Sequence, residues 1–378
     1  MKKRIIIRNG VVLDPLSGIN AVRDVFVEDG KIIGIGDKGE AIDAASGALV
    51  VDADGCLVVP GLIDIHTHVF QTETRTGIRA DLVGIDQGVT TLVDAGSAGV
   101  DNFNTFKTEI IDNNVTRVLS WLNISRIGLI GHPRTELKDL TNLEIEPVVN
   151  LIRQNPAIRG IKARMSSSVL GTNGIRPLEI AKKAAREANV PVMVHVGNGP
   201  PGLGDIFDLL DKGDIVTHAF HGKPGGIMSS EHGVLPQAAR ALERGVLLDV
   251  GHGTSSFNFQ TMLKAKQAGI HPAAISTDIY LANYNGPVHS LAVTMSKLLA
   301  LGYPLEQVIA AATLEPAKLL RLDDRIGVLA IGRHADISIV ELTQGSFDFS
   351  DSDNNHLTGS QLLQPKYTIR AGVLFTCK

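Results

Sequence analysis

Apolar and polar positions change their spacing along the chain in a regular way. From Pro60 onward, short apolar runs of strand length alternate with segments whose apolar residues recur at helical spacing. We interpret this alternation as eight βα units, which is the pattern of a TIM barrel. The first predicted strand leads into His66 and His68, and the other seven cover residues 88–94, 117–124, 159–165, 191–196, 214–219, 246–250 and 273–278. The clearest connecting helices are predicted at 177–189 and 236–244.

Both ends of the chain have the pattern of short strands and turns instead. Before Pro60, strands are predicted at 4–8, 24–28, 31–35 and 48–51. After two further helical stretches at 288–301 and 305–320, the strand pattern returns at 337–341 and 367–375. We therefore predict a small β-sandwich domain built from residues 1–58 and 327–378, beside a barrel domain of residues 59–326. The polar stretch 343–360 is predicted to be a surface loop.

Composition narrows the class of protein. The 378 residues are 44% hydrophobic, enough for a large core. With 36 basic and 40 acidic residues the net charge is −4, which argues against nucleic acid and anionic membranes as partners. Cys56 and Cys377 belong to no CxxC pattern, and no run reaches the roughly 18 apolar residues of a membrane helix. We expect a cytoplasmic protein acting on a small molecule, and a homo-oligomer.

Titratable side chains recur at the carboxyl ends of the predicted barrel strands, where the βα loops of a barrel open. His66 and His68 end the first strand, and strand alternation points both imidazoles the same way. Any one such residue is more often structural, but jointly they predict a metal site, since imidazole and carboxylate suit ions such as Zn. The other members of the set are Lys162 on the fourth strand, His195 on the fifth, His218 on the sixth and Asp278 on the eighth.

This order of ligands resembles the amidohydrolase superfamily, and the resemblance covers essentially the whole chain. Residues 59–64 are similar to the family's entry into its first strand, and residues 313–318 and 327–336 to its return to the β domain. The resemblance implies that Lys162 is carbamylated to N6-carboxylysine and bridges two divalent metal ions, for which zinc is expected.

The same resemblance implies how the ligands are shared. One metal would be held by His66, His68 and Asp278, and the other by His195 and His218. Asp278 would also be the catalytic residue, because it would take the proton of a bridging hydroxide and pass it to the leaving group.

Local departures from the family's branches bear on the substrate. Phe70 stands where dihydroorotases carry the arginine of an HxHxR motif, and the run from His195 to Asn198 departs from the His-Ala-Glu-Asn of hydantoinase-type enzymes. Residues 195–197, 217–223, 249–253, 276–278 and 285–287 are most similar to a deacetylase branch acting on acetylated hydroxy or amino acids. We predict such a deacetylase, with a cyclic amide hydrolase or a non-catalytic barrel scaffold as alternatives.

The residues predicted to contact the substrate are Arg164, His252 and Tyr284. Arg164 lies two residues beyond Lys162 on the same face of the strand, where its guanidinium would bind a substrate carboxylate. An ion pair with a carboxylate at the barrel rim is an equal alternative. His252 and Tyr284, together with His221, occupy predicted βα loops that border the mouth. The remaining histidines are expected to have no role at the site; they are His132, His232, His271, His289, His334 and His356.

Overall fold

The computed structural model describes residues 3–37, 39, 47–131, 135–228 and 233–378. Within these ranges the β-strands are β1 (Arg4–Arg8), β2 (Val11–Asp14), β3 (Ile19–Val22), β4 (Asp24–Glu28), β5 (Lys31–Gly36), β6 (Leu49–Asp52), β7 (Cys56–Pro60), β8 (Leu62–Thr67), β9 (Val89–Ala95), β10 (Arg117–Asn123), β11 (Ile158–Met165), β12 (Val192–Val196), β13 (Ile215–Thr217), β14 (Leu247–Leu248), β15 (Ile337–Ser350), β16 (His356–Arg370) and β17 (Val373–Thr376). His132 and His232 lie outside the described residues.

The α-helices of the same ranges alternate with strands β8 to β14 and continue after them. They are α1 (Ala80–Val83), α2 (Phe103–Phe106), α3 (Ile145–Gln154), α4 (Ser167–Leu170), α5 (Arg176–Ala188), α6 (Leu203–Leu209), α7 (Pro236–Glu243), α8 (Phe259–Gln267), α9 (Leu291–Ala300), α10 (Leu305–Ala310) and α11 (Leu314–Leu319). Among the described residues, no helix combines the length and the apolar character needed to cross a bilayer.

Strands β8 to β14 form one parallel sheet in chain order, and its curl gives a TIM-barrel-like fold. Strands β11 and β12 pair without a register shift, so that Lys162 lies opposite Met193 and Arg164 lies opposite His195. Below the strand ends, an apolar cluster fills the interior and includes the buried Trp121, whose indole N–H donates to the Ile65 carbonyl at 2.8 Å. Seven of the predicted barrel strands are thus present, with the chemistry-bearing residues at one end.

The eighth predicted strand, at 273–278, takes a different form. Isolated parallel bridges join Ala274 to Asp249 and Ile279 to Thr67, without a regular ladder. A side-chain contact replaces the ladder here, because the Thr277 N–H donates to the Asp64 carboxylate at 3.1 Å and Asp278 has a positive φ of 48°. The segment still lies beside β8, since the Asp278 N–H donates to the carbonyl of His66 at 2.7 Å.

The two ends of the chain share the remaining sheets. One sheet has the order β17-β16-β15-β7-β2-β3, and the other has the order β5-β4-β1-β6. Within the first sheet, β7 and β15 are antiparallel, with Ile337 opposite Pro60. One buried apolar cluster combines residues of both sheets, among them Ile7, Val58 and Ile369.

Residues 343–360, predicted to be a surface loop, instead form most of a long antiparallel hairpin between β15 and β16. Apolar residues alternate with the polar ones, and this period of two gives the hairpin a buried face. Phe349 and Leu363 belong to the large apolar cluster that includes residues of the parallel sheet, and the Leu363 N–H donates to Ser296 Oγ of α9 at 2.9 Å. The loop prediction was wrong because abundant Ser, Asp, Asn and Gly obscured this alternation.

Candidate active site

Three side chains converge at the carboxyl end of the parallel sheet. His66 and His68 come from β8, and Asp278 comes from the irregular eighth segment; their ligand atoms all lie within 4.8 Å of one another. Asp278 Oδ1 is 3.2 Å from His66 Nε2 and 3.2 Å from His68 Nε2. Two imidazoles and a carboxylate so placed form a partial coordination sphere for a divalent cation.

The other predicted ligands surround this group. Lys162 Nζ is 3.1 Å from His66 Nε2, and His218 Nε2 is 3.9 Å from Asp278 Oδ2. The ring of His195 packs edge-on against that of His218, with centroids 4.4 Å apart. The structure therefore brings all six predicted ligand positions to one end of the sheet.

Hydrogen bonds behind His66 set the direction in which its ring presents a lone pair. Thr217 donates its hydroxyl proton to Asp249 Oδ2 at 2.7 Å, and Ser276 donates to the same oxygen at 2.7 Å. Because its proton is engaged, the Thr217 oxygen accepts the His66 Nδ1–H at 2.7 Å. His66 Nε2 is then the unprotonated nitrogen, and it faces Asp278.

The rings of His68 and His218 are held in the same way. His68 Nδ1 lies 2.9 Å from Ser97 Oγ, and Ser97 in turn hydrogen-bonds the buried carboxylate of Asp94. His218 Nδ1–H donates to the carbonyl of Gly251 at 2.6 Å. Each of the three rings therefore directs its Nε2 toward the carboxylate of Asp278.

Burial keeps these groups in forms that can bind a cation. It lowers the pKa of His218 to about 3, and it lowers the pKa of His66 and His195 well below the ordinary value, so these three imidazoles are neutral at pH 7. Burial also lowers the pKa of Lys162 to about 7. Among the described residues, the buried Nε2 of His218 has no hydrogen-bond partner. A buried lone pair without a donor, among neutral imidazoles and a carboxylate, fits a divalent metal ion.

A cavity of about 560 Å³ opens above the converging ligands, a size that suits a small molecule. It is lined by His66, His68, Lys162, His195 and Asp278, and by polar residues of the surrounding loops that include Arg164, Ser166, Asn198, Lys223, Thr254 and Tyr280.

Of the predicted substrate contacts, the structure brings only Arg164 to this cavity. Its Nη1 is 3.1 Å from Glu136 Oε1, so the guanidinium forms an ion pair with a buried carboxylate at the rim. His252 is buried beside α9, with Nε2 2.8 Å from Lys297 Nζ, because the turn after β14 directs its ring away from the mouth. Tyr284 accepts a hydrogen bond from Gln87 at 3.5 Å. Neither His252 nor Tyr284 lines the cavity, and neither does His221.

Sequence reasoning missed several residues at the site. Lys223 and Tyr280 line the cavity, five residues after His218 and two after Asp278. The sequence feature that could have identified these two residues is their position in the loops that follow ligand-bearing strands. Thr217 and Asp249, at the ends of β13 and β14, hold His66 and were detectable only as polar residues at strand ends.

Together, the TIM-barrel-like fold and this group of neutral imidazoles and carboxylate define a metal-dependent hydrolase. A model of the amidohydrolase family matches residues 57–374, and the chain belongs to that family. This confirms the resemblance found in the sequence and the assignment as an enzyme.

Known proteins of similar sequence or structure cover nearly the whole chain. A deacetylase of Agrobacterium fabrum is 36% identical over 343 residues, which is 90% of this chain and 83% of that protein. A solved structure titled as an adenine deaminase is 34% identical with a TM-score of 0.92, covering 99% of this chain and 100% of that one. One titled as a dihydroorotase is also 34% identical, with a TM-score of 0.92 and coverages of 99% and 98%.

Proposed function

We propose that this protein is a deacetylase that hydrolyses the acetyl ester or acetyl amide of a small acetylated hydroxy acid or N-acetyl amino acid. The observation that carries the proposal is the convergence of His66, His68 and Asp278 within 4.8 Å at the floor of a polar cavity. The acetyl group is favoured because the Agrobacterium fabrum protein, 36% identical over 90% of this chain, is named a deacetylase.

We propose two divalent ions, with zinc first among the candidates. His66, His68 and Asp278 would hold one ion, and His195 with His218 the other. When bound, such ions lower the pKa of water and polarise a carbonyl oxygen. Asp278 would accept the proton of the attacking water and return it to the leaving oxygen or nitrogen.

Lys162 is proposed to supply an anionic bridge as a carbamate. Its neutral amine would add to the carbon of carbon dioxide, forming an N–C bond and releasing one proton. The supporting facts are its burial, the lowering of its pKa to about 7 by that burial, and its distance of 3.1 Å from His66 Nε2. At pH 7 a large fraction of the amine is unprotonated and able to react.

The proposal includes the architecture expected from the sequence. Residues 59–326 would form a closed (β/α)8 barrel in which the segment 273–279 completes the ring through the bridges of Ala274 to Asp249 and of Ile279 to Thr67. Residues 1–58 and 327–378 would form the β-sandwich, with the hairpin of β15 and β16 reaching from it to the barrel.

A cyclic amide hydrolase is the second candidate, since a structure titled as a dihydroorotase is 34% identical over 99% of the chain. Phe70 argues against it. Its ring is buried against Phe106 with centroids 5.0 Å apart, and it does not line the cavity. The position of the dihydroorotase arginine therefore provides no cation for a substrate carboxylate.

Metal analysis and a substrate screen test the proposal together. We expect about two equivalents of metal in the purified protein and hydrolysis within a panel of N-acetyl amino acids and acetylated hydroxy acids. Dihydroorotate, hydantoin and adenine serve as competing substrates. Turnover of one of these in place of every acetyl compound would overturn the deacetylase assignment, and a protein without bound metal would support a scaffold.

Variants of Lys162 and Asp278 test their separate roles. Lys162→Ala should lose metal and activity, and added short carboxylic acids should restore part of both. Asp278→Asn should reduce kcat by at least about 10²-fold, the usual loss for an acid–base residue. Lys107, whose partly exposed side chain pairs with Asp112, provides a control, because Lys107→Ala should keep full metal content and turnover. Full activity in Lys162→Ala without additive would contradict the carbamate.

A further inference from the structure

Gly197, the residue after β12, leaves open a small space at one side of the cavity. A β-carbon on Gly197 would lie 2.8 Å from Ser166 Oγ, 3.7 Å from Lys223 Nζ and 3.8 Å from His195 Nε2. Ser166, Lys223 and His195 all line the cavity. A hydroxyl, an ammonium and an imidazole thus face one point, and any side chain at residue 197 would occupy the space between them.

Lys223 brings to this space a positive charge that no carboxylate of the described residues neutralises by direct contact. Within the part of the chain that the structure describes, Lys223 forms no ion pair, and Asp353 and Asp278 act on it only at longer range. The side chain is half-buried, so its charge is partly removed from water. An anion bound at this point would give the Lys223 ammonium the electrostatic stabilisation that water no longer provides in full.

Arg164 is another basic residue that lines the cavity, and its charge is already matched. Its Nη1 lies 3.1 Å from Glu136 Oε1, and the Glu136 side chain is fully buried. A substrate carboxylate at Arg164 has to compete with this internal ion pair. A substrate carboxylate at Lys223 does not have to compete with an ion pair among the described residues.

We propose that Lys223 and the hydroxyl of Ser166 form a subsite beside Gly197 for the carboxylate of the substrate. The ligand class rests on the proposed function, because the carboxylate is taken to belong to an acetylated acid. Lys223 Nζ and His195 Nε2 lie within 4 Å of the position that a β-carbon on Gly197 would take. A carboxylate bound there is therefore close to His195, one of the proposed metal ligands. The subsite therefore selects 2-acetoxy acids and N-acetyl α-amino acids, in which one carbon separates the carboxylate from the acylated atom.

Matched substrates that differ only in charge test the subsite in the metal-loaded enzyme. For an N-acetyl α-amino acid, Lys223→Met should raise KM about 10- to 100-fold with little change in kcat, while KM for the corresponding primary amide stays constant. Lys223→Arg keeps the charge and should recover most of the affinity. If the discrimination between acid and amide disappears in Arg164→Met and persists in Lys223→Met, the carboxylate is bound by Arg164 and the proposal is overturned.

A binding measurement separates the subsite from the deacetylase function. Lactate, the product expected from an acetylated hydroxy acid, is titrated by calorimetry into wild type, Lys223→Met and Gly197→Ala. We expect binding at least about tenfold weaker in both variants. If lactate binding depends on Lys223 although no acetyl compound is hydrolysed, the proposed function fails and the subsite stands. If wild type and Lys223→Met bind lactate equally, or neither binds it, the subsite is overturned whatever the enzyme hydrolyses.

Discussion

Gly253 packs directly against the carboxylate of Asp278. A β-carbon on Gly253 would lie 2.6 Å from Asp278 Oδ2, and the residue has a positive φ of 55°. Its N–H donates to the Thr277 carbonyl at 2.9 Å, and its carbonyl accepts a hydrogen bond from Ser352 Oγ at 3.0 Å. The loop after β14 is therefore held between residues 273–278 and the tip of the hairpin, and it fixes the position of the proposed proton carrier.

Gly253→Ala should displace this carboxylate. We expect kcat to fall by about 10²-fold or more and metal affinity to weaken, because the added methyl group overlaps Oδ2. Gly269 is a matched control: its φ is +73° and no described atom lies within 4 Å of the point where its β-carbon would be, so Gly269→Ala adds backbone strain without crowding. That control should lose about 1 kcal/mol of stability with unchanged kcat. Similar kcat values in the two variants would contradict the positioning role.

Thr217 connects His66 to Asp249, and its replacement should weaken metal binding. Thr217→Val keeps the shape of the side chain but leaves the His66 Nδ1–H without its acceptor at 2.7 Å. We expect metal affinity to fall by about 10- to 100-fold, the usual effect of removing a hydrogen bond behind a ligand. Competition with a chelator measures this, and Thr217→Ser should restore wild-type affinity. Unchanged affinity in Thr217→Val would exclude an orienting role for the hydroxyl.

The sequence predicts the ligand positions well because they depend on strand period and strand ends. Lys162 and His195 fall on strands whose apolar spacing is unambiguous, so their direction and depth follow from alternation. The eighth segment is harder, because Asp64 binds the Thr277 N–H through a contact distant in sequence. A side-chain hydrogen bond that replaces a hydrogen bond between strands is not visible in the spacing of apolar and polar residues.

Loop residues show the limit of the same reasoning. His252 is close in sequence to a strand end, yet its ring contacts Lys297 on α9. Lys223 looks equally ordinary in the sequence, yet it lines the cavity. Strand alternation does not extend into turns, so the direction of a loop side chain depends on packing against distant elements.

Asp351 at the hairpin tip should stabilise the loop that contains Gly253. Its carboxylate accepts the Phe259 N–H at 2.9 Å and the N–H groups of Asp353 and Asn355 at 2.8 and 2.9 Å. Asp351→Ala leaves these donors unpaired, so we expect a loss of about 1–3 kcal/mol and faster amide exchange in residues 253–259. Asp348→Ala, on the exposed part of the same hairpin, should change neither. Wild-type exchange rates in Asp351→Ala would show that the tip does not support the loop.

Lys297 should make stability depend on pH at alkaline values. Its Nζ is buried on α9, where it donates to the Pro287 carbonyl at 2.6 Å and contacts His252 Nε2 at 2.8 Å. Burial lowers its pKa from 10.5 to about 7, although Asp351 acts in the opposite direction. Lys297 also acts electrostatically on His252 and His289, and burial lowers the pKa of both imidazoles.

The sign of the effect follows from proton counting. Between pH 7 and 10.5 the unfolded chain holds a proton on Lys297 that the folded protein lacks, so the free energy of unfolding rises with pH in this window. The slope from one group is at most about 1.4 kcal/mol per pH unit, and it vanishes below the folded pKa, where both states are protonated. Lys297→Met fills the same buried space without a titrating group and should remove this slope.

Urea unfolding of both proteins at pH values of about 6, 7.5 and 9 measures the slope. The free energy of unfolding of wild type minus that of Lys297→Met should be nearly constant below pH 7 and should rise above it. If this difference stays flat up to a pH of about 9, or falls, Lys297 keeps its proton on folding.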